Sequence, residues 1–182
     1  MSDIVLITGA PGSGKSTVGR ALAERLDPSF HLKVDDLREN MVNGFILPEP
    51  PFTDDVIAQF ALVRRTATFM ALDYASAGVT FVVDDTPIPE SFPEHYAMLY
   101  ADPRVTRVLL RPQDNAVIDR LRKRAGPFDE FLLELGTDVF NEELSKLSTD
   151  GWHIIDSTHL SVDETVGEVM HLLALKRKNR TR

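Results

Sequence analysis

The sequence contains no cysteine among its 182 residues, so disulfide bonds and thiolate chemistry are excluded. A chain without cysteine suits a reducing compartment, and we expect a cytoplasmic protein. The sequence also lacks any apolar run that approaches the roughly 20 residues of a membrane-spanning helix. The N-terminus leads directly into a strand-like segment, so we expect neither a membrane partner nor a signal peptide.

Basic residues are scarce outside the C-terminus. The formal net charge is −8, yet segment 176–182 holds five basic residues, so the rest of the chain carries about −13. Nucleic-acid binding needs a basic surface, and an acidic body makes a nucleic-acid partner unexpected. We expect the basic segment to be a flexible, solvated end. The composition is otherwise typical of a globular protein, and we expect a single domain over residues 1–182.

The most informative stretch is GAPGSGKS at residues 9–16, which matches the phosphate-loop (P-loop) pattern G-x-x-x-x-G-K-[ST]. It lies between an apolar strand pattern at 3–8 and a helical pattern, the context that supports the motif. Its glycines let backbone N–H groups surround a phosphate, and the helix N-terminus favours the same anion. Lys15 can reach the β- and γ-phosphates of ATP, and the Ser16 hydroxyl can ligate Mg²⁺. The nucleotide-binding residues predicted here are Gly9, Pro11, Gly12, Ser13, Gly14, Lys15, Ser16 and Thr17.

Strand and helix patterns alternate along the rest of the chain. Further strands are predicted at 30–34, 79–83, 105–110 and 152–155, and helices at 53–77, 90–100, 112–124, 128–147 and 161–175. Such alternation predicts an α/β fold, a doubly wound, parallel, five-stranded sheet in the three-layer P-loop NTPase arrangement. A helical lid is expected at about 120–140. Ligands of these sheets bind outside the carboxyl ends of the strands, so polar residues there are the candidates for function.

Two pairs of aspartates follow predicted strands. Asp84 would hold Mg²⁺ next to Ser16, as a Walker-B-type carboxylate does, with a turn or helix cap before Pro87 as the alternative. Asp35 or Asp36 would accept the proton of a substrate hydroxyl, with the other capping the next helix, and we favour Asp35 as the base. Arg38 lies three residues after Asp35 and could flank the same acceptor, unless it is an exposed helix arginine.

The run RLRKR at 120–124 places Arg120 and Arg124 on one helix face before a Gly-Pro break. A lid of this kind could close arginines onto ATP, and a solvated basic face is the alternative. The five histidines lack metal-ligand spacing and are taken as structural or exposed, although His159 could border the adenine. The apolar, proline-rich loop at 43–52 is either an acceptor pocket or simply packed loop.

These motifs together resemble the small P-loop kinases of the chloramphenicol phosphotransferase and zeta-toxin type, which are often described as AAA-family ATPases. The resemblance rests on GAPGSGKS, KVDDLREN at 33–40, FVVDDTPI at 81–88, RLRKR, and IIDSTHLS at 154–161. It implies Asp35 as the base, with an arginine three residues on, and a lid arginine at Arg120 or Arg124. It also implies that Ser157 and Thr158 border the adenine. The acceptor loop varies most among such proteins and does not identify the substrate.

The sequence therefore predicts an ATP- and Mg²⁺-dependent kinase that phosphorylates a hydroxyl of a small molecule, such as a metabolite, sugar or antibiotic. A GTPase switch would need N-K-x-D and D-x-x-G motifs, and the strand at 79–83 is followed by Asp84-Asp85-Thr86-Pro87 instead. A nucleotide-binding ATPase module without an acceptor, and a kinase of nucleotides or polynucleotide ends, remain alternatives.

Overall fold

The computed structural model describes residues 2–49, 52–86, 92–126, 128–135 and 149–180. Within these residues five strands form one sheet in the order β2-β3-β1-β4-β5, and all neighbouring strands are parallel. This confirms the predicted doubly wound α/β architecture. The strands are β1 Ile4–Thr8, β2 Ser29–Lys33, β3 Thr80–Asp85, β4 Val105–Leu110 and β5 Trp152–Ile155.

Helices cover both faces of the sheet. They are α1 Lys15–Glu24, α2 Val34–Glu39, α3 Asp54–Ser76, α4 Phe92–His95, α5 Ala97–Ala101, α6 Asp114–Arg124, α7 Asp129–Leu135 and α8 Val162–Arg180. Alternate residues of β1 face the helices on opposite sides of the sheet, as the two-residue period of a strand requires. Ile4 and Leu6 pack in the core beneath α3 and α5, whereas Val5 and Ile7 pack against α1 and α8. Among the described helices, none has the length and apolar content to cross a bilayer.

Two helix predictions need correction. The expected helix at 90–100 is two short helices, α4 and α5, which are separated at the completely buried Tyr96.

Helix α2 begins at Val34, so β2 leads into it without a turn, and Asp35 and Asp36 both lie in its first turn. Asp36 therefore does not cap the helix, and it pairs with the Lys33 ammonium instead. Of the predicted helix at 128–147, α7 accounts for Asp129–Leu135, and residues 136–148 lie outside the described residues.

The basic C-terminal segment also differs from its prediction. Helix α8 continues to Arg180, and Arg177 donates from Nε to Oδ2 of the buried Asp3 at 2.5 Å. Arg180 pairs with the other oxygen of the same carboxylate. The expected flexible end is thus wrong for residues 176–180, because a carboxylate buried at the start of β1 attracts two of its cations. Residues 181 and 182 lie outside the described residues.

We expect Asp3→Asn to lower the free energy of unfolding by about 1–3 kcal/mol, because it removes the charge that two arginines bond in a buried position. Urea unfolding followed by fluorescence of Trp152, the single tryptophan, measures this loss. Asp163→Asn is the matched control, since Asp163 pairs with Arg25 at 2.5 Å but its side chain is 83% exposed. Its loss should stay within about 0.5 kcal/mol. Equal losses in the two variants would contradict a stabilising role for Asp3.

Candidate active site

The P-loop joins β1 to α1 and has the backbone that its sequence predicts. Gly12 and Gly14 have φ angles of 82° and 96°, in the left-handed region that favours glycine. A Cβ on Gly12 would lie 2.9 Å from Cγ of Leu121 in α6, so the loop and α6 approach too closely for any side chain there. The Ser13 hydroxyl is buried and has no hydrogen-bond partner among the described residues. An orphaned donor in a glycine-lined loop fits a phosphate-binding site.

Lys15 is the first residue of α1 and is only 7% exposed. None of the carboxylates in the described part of the chain forms an ion pair with its ammonium. Burying a charge is costly unless an opposite charge accompanies it. The site therefore favours an anion beside Lys15, as the phosphate-loop pattern predicts.

The Ser16 hydroxyl donates to Oδ1 of Asp84 at 2.7 Å, although the two residues are 68 positions apart. They meet because β1 and β3 are neighbours and end together, with Ile7 opposite Asp84. Oδ2 of Asp84 contacts Nε2 of His31 at 2.7 Å. A hydroxyl and a carboxylate side by side are oxygen ligands of the kind Mg²⁺ takes, so this pair fits the ion that the sequence predicts. Within the described residues there is no group of three or more His, Asp or Glu side chains that could hold a metal alone.

Asp35 and Arg38 lie on α2, just after the carboxyl end of β2. Asp35 is partly exposed, and in the described structure no side chain or backbone group hydrogen-bonds to its carboxylate. Arg38 is only 4% exposed, which excludes the exposed-arginine alternative. Its guanidinium lies over the rings of Phe45 and Phe60, at 4.7 and 4.5 Å from their centroids, and donates to the Ile46 carbonyl at 2.9 Å. Burial lowers the pKa of Arg38, and the nearby Asp35 carboxylate opposes that shift.

A buried ion pair lies close to Asp35 and Arg38. Nε of Arg64, from α3, donates to Oδ2 of Asp85 at 2.6 Å, and both side chains are completely buried. The Tyr96 hydroxyl donates to the same oxygen at 3.0 Å. Arg64 also donates to the Thr86 carbonyl and to Nδ1 of His95, whose pKa is lowered by burial and by the Arg64 charge. Burial raises the pKa of the Asp85 carboxyl, and the Arg64 guanidinium opposes this.

Arg120 and Arg124, the two arginines predicted for a lid, have different partners. Arg120 donates to the carbonyl of Ser13 at 2.9 Å and to the carbonyl of Ser157 at 2.6 Å, so it bridges the P-loop and the segment after β5. Arg124 forms a two-oxygen ion pair with Asp129 at the start of α7. Of the two, Arg120 lies at the P-loop, whereas Arg124 ties α6 to α7.

The segment after β5 meets the start of α6. Ser157 is buried, and its hydroxyl has no partner among the described residues. The Thr158 hydroxyl accepts from the Gln113 backbone N–H at 2.8 Å, and the Thr158 N–H donates to Asp156 at 2.9 Å. Arg120, which bonds the carbonyls of Ser13 and Ser157, joins this segment to the P-loop, and the resemblance implies that Ser157 and Thr158 border the adenine. His159 is exposed, and the described structure records no hydrogen bond to it.

A family model described as an AAA domain matches residues 4–149. The chain belongs to this AAA domain family. The shikimate kinase of Salinispora tropica is 42% identical to it over 79 residues, which are 43% of this chain and 45% of that protein. The chain thus aligns with less than half the length of this curated relative.

Solved structures show the fold of this AAA domain. A sugar kinase from a Janibacter species has a TM-score of 0.67 at 17% identity, with 96% of this chain and 95% of that one covered. A gluconokinase from Sinorhizobium meliloti has a TM-score of 0.64 at 20% identity, with 99% and 95% covered. At these identities the likeness concerns the fold, which is that of the small P-loop kinases. The resemblance to this group is confirmed.

The AAA domain holds its proline-rich loop against α3. Gln59 accepts from the Ile46 N–H at 3.3 Å and donates to the Gly44 carbonyl at 2.6 Å, while Arg38 bonds the Ile46 carbonyl. Ile46 and Phe52 pack against Val56 and Phe60. The described part of the loop is therefore anchored by polar and apolar contacts. Pro50 and Pro51 lie outside the described residues.

Sequence reasoning missed His31, Arg64 and Tyr96. The interpretation of His31 as structural or exposed overlooked its bond to the predicted metal carboxylate Asp84. A signal for Arg64 was available: it lies four residues after Phe60 and three before Ala67, on the apolar face of α3. A charge on a buried face needs a buried partner, which here is Asp85. The contact of His31 with Asp84 depends on the strand order, which the local pattern does not contain.

Proposed function

We propose that this AAA domain is an ATP-dependent phosphotransferase that moves the γ-phosphate of ATP to a hydroxyl of a small molecule. The observation that carries the proposal is Asp35. Its carboxylate lies beyond the carboxyl end of β2, beside Arg38 and within electrostatic range of Asp85, and no described group hydrogen-bonds to it. A partly exposed carboxylate left without a partner can accept a proton from a hydroxyl.

The nucleotide would occupy the P-loop. Backbone N–H groups of 9–16 and the N-terminus of α1 would bind its phosphates, and Lys15 would gain an anionic partner, which it lacks among the described residues. Arg120, Ser157 and Thr158 would border the nucleotide on the β5 side. The kinase fold of the relatives supports this arrangement, and the glycine backbone of the loop is suited to it.

Mg²⁺ would be held by the Ser16 hydroxyl and the Asp84 carboxylate, with nucleotide oxygens and water as its other ligands. When bound, the ion neutralises negative charge that develops on the phosphates during transfer. Asp84 is buried and hydrogen-bonded on both oxygens, so its carboxylate is held in one orientation. The protein's contribution is therefore a pre-oriented pair of oxygen ligands.

In the transfer step, the O–H bond of the acceptor breaks and Asp35 accepts the proton. The acceptor oxygen bonds to the γ-phosphorus. The bond between the γ-phosphorus and the β,γ-bridging oxygen breaks, and the electron pair leaves on ADP. Lys15 and Arg120 stabilise the charge of the transferring group. Arg124 would join them only if a lid movement broke its pair with Asp129. The buried Arg38 guanidinium, in contact with two phenylalanine rings, would orient the acceptor.

The acceptor is proposed to be a hydroxylated metabolite, sugar or antibiotic. Proteins of similar fold are a sugar kinase, a gluconokinase and a shikimate kinase by name, and those names support hydroxyl acceptors as the first class to test. The anchored loop at 43–49, with Phe45 and Ile46, lies next to Arg38 and would form one wall of the acceptor site.

ADP release from ATP and Mg²⁺, measured across a panel of sugars, polyols, hydroxy acids and hydroxylated antibiotics, tests the proposal. We expect at least one compound to raise turnover above the water background, and ATP with Mg²⁺ to raise the melting temperature. Lys15→Ala should abolish both effects, because the phosphates lose their buried cation. Turnover that no acceptor raises, in a protein that ATP still stabilises, would favour an ATPase module instead. Stabilisation that survives Lys15→Ala would refute the P-loop assignment.

A further inference from the structure

The Asp84 carboxylate is hydrogen-bonded by two residues that belong to different secondary-structure elements. Ser16, at the start of α1, donates to Oδ1, and Nε2 of His31 contacts Oδ2, each at 2.7 Å. The His31 and Asp84 side chains are 8% and 2% exposed, so water contributes little to either. Because a carboxylate oxygen accepts hydrogen bonds, Nε2 of His31 is the donor in this contact. The imidazole therefore fixes Oδ2 of Asp84, the carboxylate oxygen that does not face Ser16.

Helix α1 leaves room for this contact at one position. Gly19 faces the His31 ring, and a Cβ built on it would lie 2.8 Å from Nε2. Glycine is a poor helix former, so its presence in the middle of a ten-residue helix needs a reason. The close approach of the imidazole supplies that reason. The absence of a side chain at residue 19 and the hydrogen bond from His31 to Asp84 are parts of one arrangement.

We propose that His31 is a positioning residue for the metal site: its Nε2–H holds Asp84 so that Oδ1 faces Ser16 and the ion. This inference rests on the proposed function, which assigns Mg²⁺ to Ser16 and Asp84. Without the imidazole, the carboxylate could rotate and lose its alignment with the Ser16 hydroxyl. Partners of this kind behind a metal ligand change metal affinity by about 10- to 100-fold when they are removed.

The test measures Mn²⁺ binding in the presence of ADP, by the electron paramagnetic resonance signal of free Mn²⁺. His31→Met keeps a side chain of similar bulk without a donor, and we expect it to weaken Mn²⁺ binding about tenfold or more. His31→Gln places an amide N–H near the position of Nε2 and should recover most of the affinity. ADP binding without metal should stay unchanged in both variants, because the P-loop is intact.

A second pair of variants tests the contact between His31 and Asp84 through a glycine of α1. Gly19→Ala should weaken Mn²⁺ binding, because its methyl group displaces the imidazole from Asp84. Gly167→Ala is the matched control: Gly167 is also a helix glycine, in α8, and a Cβ there meets no atom within 4 Å. Gly167→Ala should bind Mn²⁺ as the wild type does. A loss confined to Gly19→Ala separates the positioning effect from a general effect of alanine in a helix.

The outcomes distinguish this inference from the function on which it rests. Wild-type protein that does not bind Mn²⁺ with ADP would refute the metal site of the proposed function, and the role of His31 with it. Wild-type binding that His31→Met leaves unchanged would overturn the inference alone. Binding by His31→Gln that is as weak as that of His31→Met would also overturn it, because the ring would then act only by its bulk.

Discussion

Replacing Arg64 with methionine is expected to cost about 3–5 kcal/mol of the free energy of unfolding, the largest loss of stability that we predict for a single substitution. Arg64 and Asp85 are both completely buried and are joined at 2.6 Å. Methionine fills a similar volume but leaves the carboxylate without its cation in a position that water does not reach. The cost arises from this uncompensated charge and exceeds the value of the lost hydrogen bonds.

Arg65→Met is the matched control, because Arg65 is the next residue of the same helix and is exposed. It should change the free energy of unfolding by no more than about 0.5 kcal/mol. Urea unfolding of both variants provides the comparison. Losses of similar size would show that the Arg64–Asp85 pair does not stabilise the fold.

The loss in Arg64→Met should depend on pH. Burial raises the pKa of Asp85, and in the variant the opposing effect of the Arg64 guanidinium is gone, so the pKa rises further. A carboxyl whose pKa is higher in the folded state favours folding at low pH and loses that contribution as the pH rises. The deficit of Arg64→Met should therefore be smaller in mildly acidic than in mildly alkaline buffer. The double variant with Asp85→Asn should recover part of the deficit, since it removes the buried charge.

The parts of the fold that local sequence determines were predictable. The P-loop lies between β1 and α1 as the glycine pattern predicts, and β4 and β5 have the predicted ends. Thr53, the first residue of the predicted helix at 53–77, caps α3 by accepting from the Val56 N–H at 3.4 Å. Each of these features depends on residues within a few positions of one another. The alternation of strands and helices then restricts the sheet to a parallel arrangement.

The remaining features depend on partners distant in the sequence. Arg177 bonds to Asp3, which is 174 positions away in the sequence, and His31 bonds to Asp84, which is 53 positions away. Neither contact leaves a local signature, and the basic run at 176–182 by itself predicts a solvated segment. The roles of Asp35, Arg38, Arg120 and Asp84 stay predictions. What the structure adds is which of them already have protein partners, and Asp35 has none within the described residues.

Asp35→Asn is expected to lower the turnover of the best acceptor about 10²- to 10⁴-fold, the range for loss of a general base. Asparagine keeps the size of the side chain but cannot accept the hydroxyl proton. The Michaelis constant for ATP should change little, because the P-loop and the Ser16–Asp84 pair are untouched. Steady-state kinetics with the acceptor found in the panel measure both quantities.

Asp36→Asn provides the matched control for Asp35→Asn. Asp36 is the adjacent residue of α2 but is exposed, and its carboxylate pairs with Lys33. An exposed ion pair contributes little, so this variant should keep turnover within about twofold of the wild type. A large loss in Asp36→Asn with turnover preserved in Asp35→Asn would transfer the role of base to Asp36. Turnover preserved in both variants would mean that neither aspartate of α2 accepts the proton.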